Sequence, residues 1–351
     1  MKLSRRDLMR TAGGAAAVTL AMPYIARRAY AADSITVADP GGPYSIAYAE
    51  AFYRPFEKET GITVANVSRD TEPVAQFRAM VEAKSYIWDV CTLAGPAYVA
   101  LRAQDLLHDM GLKAEDYPDF MDGAIVNDWM AIDVYSTVAA YRTDTYGDNA
   151  PERLEDFWDV EKFPGRRGMY QSPVWTLEQA LMADGVAPQD LYPLDLERAF
   201  RKLDEIKPHI TAWWTAGAQS AQLLQSAEVE FSQIFNGRAQ ALIDENQPVK
   251  ILWDKGIYGM EGWSIPKDSA KADISIEFIK FCADPARQAI MTNGLAYGPT
   301  NLKAYDQISE DRASVLPTYA ANLERMAATN ESWWLDNRSA VVERFSEWVL
   351  L

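Results

Sequence analysis

The chain has 351 residues, with 50 Asp and Glu against 34 Lys and Arg, and a formal net charge of −16. So acidic a field disfavours nucleic acid and anionic lipid surfaces and favours approaching cations, and the length exceeds what one hydrophobic core usually covers, so two lobes are expected. Two histidines and two cysteines form no Cys/His cluster for zinc or copper, and no nucleophile elbow, phosphate-binding glycine loop or His-Glu-x-x-His pair occurs.

In chain order, Ser4-Arg5-Arg6-Asp7-Leu8-Met9-Arg10 precedes an apolar run from Ala12 to Ile25 that is too short and weak for a membrane span. A paired arginine ahead of such a run reads as a twin-arginine export signal. Ala29-Tyr30-Ala31 supplies the small-x-small pattern of a signal peptidase site, so residues 1–32 are expected to be removed, with the mature chain working in the periplasm. Losing that leader takes away six positive charges and Asp7, moving the formal charge from −16 to −21.

Ser34-Ile35-Thr36-Val37-Ala38 is a β-branched run stopped by the Gly41-Gly42-Pro43 turn. Ala51, Phe52, Pro55 and Phe56 then recur at helical spacing until Gly61, and Ile62-Thr63-Val64 opens a second strand. A helix over 76–83, a strand over 88–93 and a helix over 97–106 continue the alternation, which implies a mostly parallel sheet covered on both faces. The run 134–141 reads as a strand crossing into a second lobe, where 177–182, 195–203 and 220–224 read as helices and Gln240-Ala241-Leu242-Ile243 as a strand. Gly262-Trp263-Ser264-Ile265-Pro266 reads as the return crossing, and 314–351 as helical with an aromatic pair at Trp333 and Trp334. Lobe one is thus expected over 33–138 and 262–303, lobe two over 139–261 and 304–351. Cys91 and Cys282 lie in apolar runs, where pairing and plain burial both remain open.

Pro55-Phe56-Glu57-Lys58-Glu59-Thr60-Gly61-Ile62-Thr63-Val64 after the Gly-Gly turn resembles the opening of bacterial extracellular solute-binding proteins of ABC importers. Trp88-Asp89-Val90, Phe235-Asn236-Gly237-Arg238, Gly262-Trp263-Ser264-Ile265-Pro266, Phe278-Ile279-Lys280-Phe281 and Tyr297-Gly298-Pro299-Thr300-Asn301 follow in the family's order, and the spermidine/putrescine-binding branch is the most similar. The resemblance implies an α/β fold of the two-lobe periplasmic binding protein kind (type II), with a ligand cleft that closes on binding. It also implies delivery to a membrane permease driven by an ATPase, by a receptor that is monomeric, non-catalytic and free of cofactors. Crevices beyond the carboxyl ends of parallel strands suit that role physically.

A polyamine requires ring faces for its methylenes and ammonium groups, and carboxylates at its ends. The resemblance places Glu261 as counter-ion, Tyr297 as a cleft tyrosine, and Gly42 and Tyr44 at the loop after the first strand. It sets Phe235 where those receptors stack a tryptophan, and Trp334 and Asp336 in a tail region that contributes polar contacts, while Tyr258 is a further candidate among the aromatics near the predicted loop ends. It also shows departures. Ser172 and Trp175 stand where the receptors carry acids, Gly259 stands where they carry a tryptophan, and Arg166, Arg167 and Arg238 offer guanidiniums that would hold a carboxylate instead. The expected ligand is therefore a small organic cation such as putrescine or spermidine, with a zwitterion such as γ-aminobutyrate as the alternative. Ferric iron capture or an exported hydrolase fits less well.

Overall fold

The structure, a computed structural model, describes residues 34–70 and 73–351; the expected leader lies outside them. Its eleven strands are β1 (Ser34–Asp39), β2 (Thr63–Ser68), β3 (Val90–Ala94), β4 (Ile125–Val126), β5 (Trp129–Arg142), β6 (Arg167–Tyr170), β7 (Ile210–Trp214), β8 (Phe231–Phe235), β9 (Val249–Ser264), β10 (Gly298–Pro299) and β11 (Ala327–Ala328). They form one sheet in the order β2-β1-β3-β9-β5-β8-β6-β7, with β4 and β10 on β5 and β11 on β9.

Two wings flank a pair of long central strands. On one side β1 runs parallel to β2 and β3; on the other β6 runs parallel to β7 and β8. Between them β5 and β9 pair antiparallel from Met130↔Trp263 to Arg142↔Val249. β3 joins one end of β9, at Cys91↔Ser264 to Ala94↔Glu261, and β8 joins the far end of β5, at Thr137↔Phe235 to Tyr141↔Phe231. The parallel wings are the mixed α/β pattern expected from the strand–helix alternation, and the crossings are longer than the sequence suggests. The return strand begins at Val249 rather than near Gly262, because Lys250, Trp253, Asp254 and Lys255 interrupt its apolar pattern.

Local chemistry sets the element ends. Gly41 and Gly42 both hold positive φ, 77° and 61°, which a side chain resists. Asp39 fixes that turn by accepting from the Gly41 amide at 2.8 Å, from Tyr53 at 2.7 Å and from Asn66 at 2.7 Å. Gly61, at φ 78°, closes the helix Arg54–Thr60, its amide bonded to the Glu57 carbonyl. Gly262 has no room for a methyl: a Cβ there would collide with the Met130 carbonyl and lie 2.6 Å from Ala131 Cα. One expected element is wrong. Residues 240–243 belong to the helix Asn236–Asp244, and the strand is the preceding Phe231–Phe235, buried at every position. A four-residue apolar run does not by itself separate strand from helix.

The C-terminal helix Glu331–Leu350 lies along the helix Gly95–Arg102. It is anchored by Trp334, fully buried, whose indole donates to Glu178 at 2.7 Å, and by Phe345 and Trp348 packed on Phe200 and Trp213. Cys91 and Cys282 are buried and unpaired. Burial pushes the Cys91 thiol up to about 12. Among the described residues no helix is long and apolar enough to cross a membrane.

Candidate ligand-binding site

The carboxyl ends of all six parallel wing strands converge on one cavity of about 700 Å³. Pro40 follows β1, Arg69 and Asp70 follow β2, and Ala94 ends β3; Tyr170 and Gln171 mark the end of β6, Thr215 follows β7 and Phe235 ends β8. Tyr135 and Glu261 on the central strands form the inner wall, and Leu335 and Arg338 of the C-terminal helix line the outer part.

Of the residues expected from the sequence, Tyr44, Ser172, Trp175, Phe235, Glu261 and Tyr297 line this cavity. Gly42 borders it through Arg238: a Cβ on Gly42 would come within 2.9 Å of Arg238 Nη1. Three are not brought to it. Trp334 is buried against Glu178, Asp336 is exposed on the C-terminal helix, and Tyr258 lies half-buried outside the lining, its carbonyl accepting from Thr329. Helical spacing explains the tail: Leu335, Arg338, Ser339 and Val342 share the cavity-facing side, so Trp334 and Asp336 point elsewhere. Gly259 opens no free space either, because a Cβ there would sit 2.7 Å from the Tyr135 hydroxyl.

Rings form the inner box. Trp175 stacks on Tyr170 with centroids 5.8 Å apart, and meets Tyr135 and Phe235 edge-on at 5.4 and 5.6 Å. Tyr297 meets Tyr44 at 5.9 Å and Tyr135 at 6.4 Å. Trp175 holds φ 69°, a left-handed backbone that costs a bulky residue energy and occurs where a site requires it. Its indole donates to Thr329 Oγ1 at 3.1 Å, which locks the ring.

The charged groups rearrange the expected chemistry. Glu261 does not wait for a cation: it is ion-paired with Arg69, whose side chain is 3% exposed and also donates to Thr92 at 3.0 Å and to the Asp70 carbonyl at 2.8 Å. Burial is the largest influence on the Arg69 guanidinium and lowers it, but Glu261 together with Cys91, Tyr44 and Asp39 outweighs burial and leaves it raised. Burial raises the Glu261 carboxyl, Arg69 opposing. Asp133, opposite Glu261 on β5, is wholly buried beneath Tyr44 and Tyr48, whose phenols donate to its Oδ2. Its carboxyl is pushed well up by burial and then by Glu261.

Among the three arginines raised by the sequence, only Arg238 reaches the cavity. Arg166 pairs with Glu230 at 2.6 Å on the surface, and Arg167 is buried on the Phe157, Phe163 and Gly165 carbonyls. Arg238 stands in the first turn of the helix Asn236–Asp244 and is 3% exposed, with Nη2 on the Gly41 carbonyl at 2.9 Å. Its Nη1 is buried without a hydrogen-bond partner. Two glycines make room for the guanidinium, since a Cβ at Gly42 or Gly217 would press on it at 2.9 or 3.4 Å. Sequence reasoning missed Arg69, Tyr135 and Tyr170. The available signal was their placement at strand ends or on a crossing strand, where an α/β sheet presents ligand groups.

A cavity walled by rings and guanidiniums where parallel strands end defines an α/β protein that binds small molecules between two wings of a sheet. A family described as bacterial extracellular solute-binding protein matches residues 51–320; the chain belongs to that family, whose members bind and deliver solutes for ABC transporters and form no enzyme class. It is 33% identical over 321 residues to the γ-aminobutyric acid-binding protein of Pseudomonas aeruginosa, covering 90% of both chains. It is also similar to a solved γ-aminobutyrate receptor, at 31% identity and a TM-score of 0.80, with 90% of this chain and 98% of that chain covered. To the spermidine/putrescine-binding periplasmic protein of Escherichia coli it is 23% identical over 161 residues, 45% of each chain. The polyamine resemblance is thus distant.

Proposed function

We propose that this receptor captures a zwitterion with separated amino and carboxylate groups, of the γ-aminobutyrate type, and hands it to an inner-membrane ABC permease. The observation that carries this reading is Arg238: a buried guanidinium facing the cavity with Nη1 unbonded, beside a box of rings. A buried donor left unpaired is costly, and a carboxylate satisfies it with a charge-assisted bond. The rings then suit an ammonium at the other end of the ligand.

A polyamine fits the same walls less well. Its ammonium groups would face Arg78, Arg238 and Arg338, while Arg69 and Glu261 neutralise each other and, among the described residues, Asp70 is the remaining acid lining the cavity. The acidic surface still raises the local concentration of any ligand with a cationic end. The 33%-identical relative, a γ-aminobutyric acid-binding protein, points the same way.

Calorimetric titration of Arg238→Lys with γ-aminobutyrate checks the role of the guanidinium. The lysine keeps the charge but loses the planar fork, so affinity falls about 10- to 100-fold, equivalent to about 1.4–2.7 kcal/mol. Unchanged affinity would remove Arg238 from the site.

A further inference from the structure

We propose that Glu331, at the start of the C-terminal helix, is the counter-ion for the ligand's ammonium group. This rests on the zwitterion reading and supplies the partner that Glu261, held by Arg69, does not.

Placement carries the argument. Glu331 stands one helical turn before Leu335, and its side chain lies over Gly95, the residue after Ala94; both Leu335 and Ala94 line the cavity. A Cβ on Gly95 would sit 2.6 Å from Glu331 Cγ, so the glycine is what lets the carboxyl occupy this corner. Glu331 is half-buried, and among the described residues it has no ion pair. A carboxylate in that position lacks a cation, and the cavity beside it is where one would arrive.

A second group points to the same spot. The Tyr135 hydroxyl is buried and without a hydrogen-bond partner, and Tyr135 lines the cavity. The Glu331 charge acts on Tyr135 from β5 and on Tyr258 from β9, the titratable groups that face it from those strands. The Gly95–Arg102 helix presents its first-turn backbone to Glu331, while Arg102, at its far end, is engaged by Asp128. An ammonium held here would accept the Tyr135 ring as a cation–π face and the Glu331 carboxylate as a charge-assisted acceptor. Arg238, reaching from the other wing of the sheet, would take the ligand's carboxylate.

Burial pushes the Glu331 carboxyl up to about 7, so the empty site is partly protonated at neutral pH. An arriving ammonium favours the ionised form and lowers that value, so binding releases a proton from Glu331.

The test uses the mature chain and γ-aminobutyrate, with butyrate as the probe that lacks the amine. Titration calorimetry at pH 7 in two buffers of different ionisation enthalpy reads both affinity and proton release. Wild type is expected to release protons on binding γ-aminobutyrate. Glu331→Gln is expected to bind γ-aminobutyrate at least about 10-fold more weakly, to release no proton, and to bind butyrate as wild type does. Gly95→Ala, which displaces the carboxyl without removing it, is expected to weaken γ-aminobutyrate binding in the same sense, with a thermal melt confirming that each variant is folded. If folded Glu331→Gln retains both wild-type affinity and proton release, the assignment is overturned while the zwitterion reading stands. If wild type itself does not bind γ-aminobutyrate, the zwitterion reading falls and this assignment falls with it.

Discussion

Single side chains decide what this cavity accepts, and the buried acids show how burial and pairing divide their roles. Glu261 is neutralised by Arg69, and Asp133 is buried under two tyrosines. Glu178 lies outside the cavity, fully buried, accepting from Trp334 and Tyr192 at 2.7 Å each. Burial lifts its carboxyl from 4.5 to about 7. A raised carboxyl means that the folded protein holds more protons than the unfolded chain between those values, so this group's contribution to stability falls as pH rises from about 4.5 to about 7 and levels off above. Glu178→Gln keeps a carbonyl acceptor for both donors and removes the titration. Denaturant unfolding at pH 5 and pH 8 should find the variant more stable than wild type at pH 8, by at most on the order of 3 kcal/mol, and nearly equal to it at pH 5. An equal difference at both pH values would show that the anchor acts through packing alone.

Elements explain which parts of the site were legible in the sequence. Tyr44 and Phe235 stand after β1 and at the end of β8, and strand ends are fixed by local turn chemistry such as Gly41-Gly42, whereas Ser172, Trp175 and Tyr297, the last of them just before β10, were placed by the family resemblance. Arg69 could not be read this way, because its importance comes from Glu261, a residue 192 positions away brought beside it by β3 and β9. Helical phase was the other gap: at the start of the last helix a one-residue error moves a side chain by about 100°, which put Trp334 and Asp336 forward in place of Leu335 and Arg338. The crossing strands themselves depend on Gly262, where backbone from β5 leaves no room for a methyl. Gly262→Ala should therefore cost about 2–4 kcal/mol, read as a lowered denaturant midpoint with an unchanged slope. A neutral substitution would mean that the β5–β9 contact is looser than its geometry.

At the scale of the whole molecule, β5 and β9 are the continuous connection between the wings, and the cavity opens where both sets of parallel strands end. The α/β class was readable from alternation and the type II two-lobe arrangement only from the family resemblance, whereas the ligand was readable from neither. Net charge favours a cation, but in the cavity Arg69 occupies Glu261 and Arg238 keeps Nη1 unbonded, and that local arrangement outweighs a diffuse surface field once water is excluded. We expect lobes 33–138 with 262–303 and 139–261 with 304–351 to close on the ligand about these strands. Ligand binding also stabilises the folded state by about 2.7 kcal/mol at a hundredfold excess over Kd. The most direct measurement is a titration of the wild-type mature chain with γ-aminobutyrate, putrescine and spermidine under identical conditions. Saturable binding of γ-aminobutyrate, with both polyamines at least about 100-fold weaker, a gap of about 2.7 kcal/mol, is the predicted result. Tighter binding of either polyamine would contradict it.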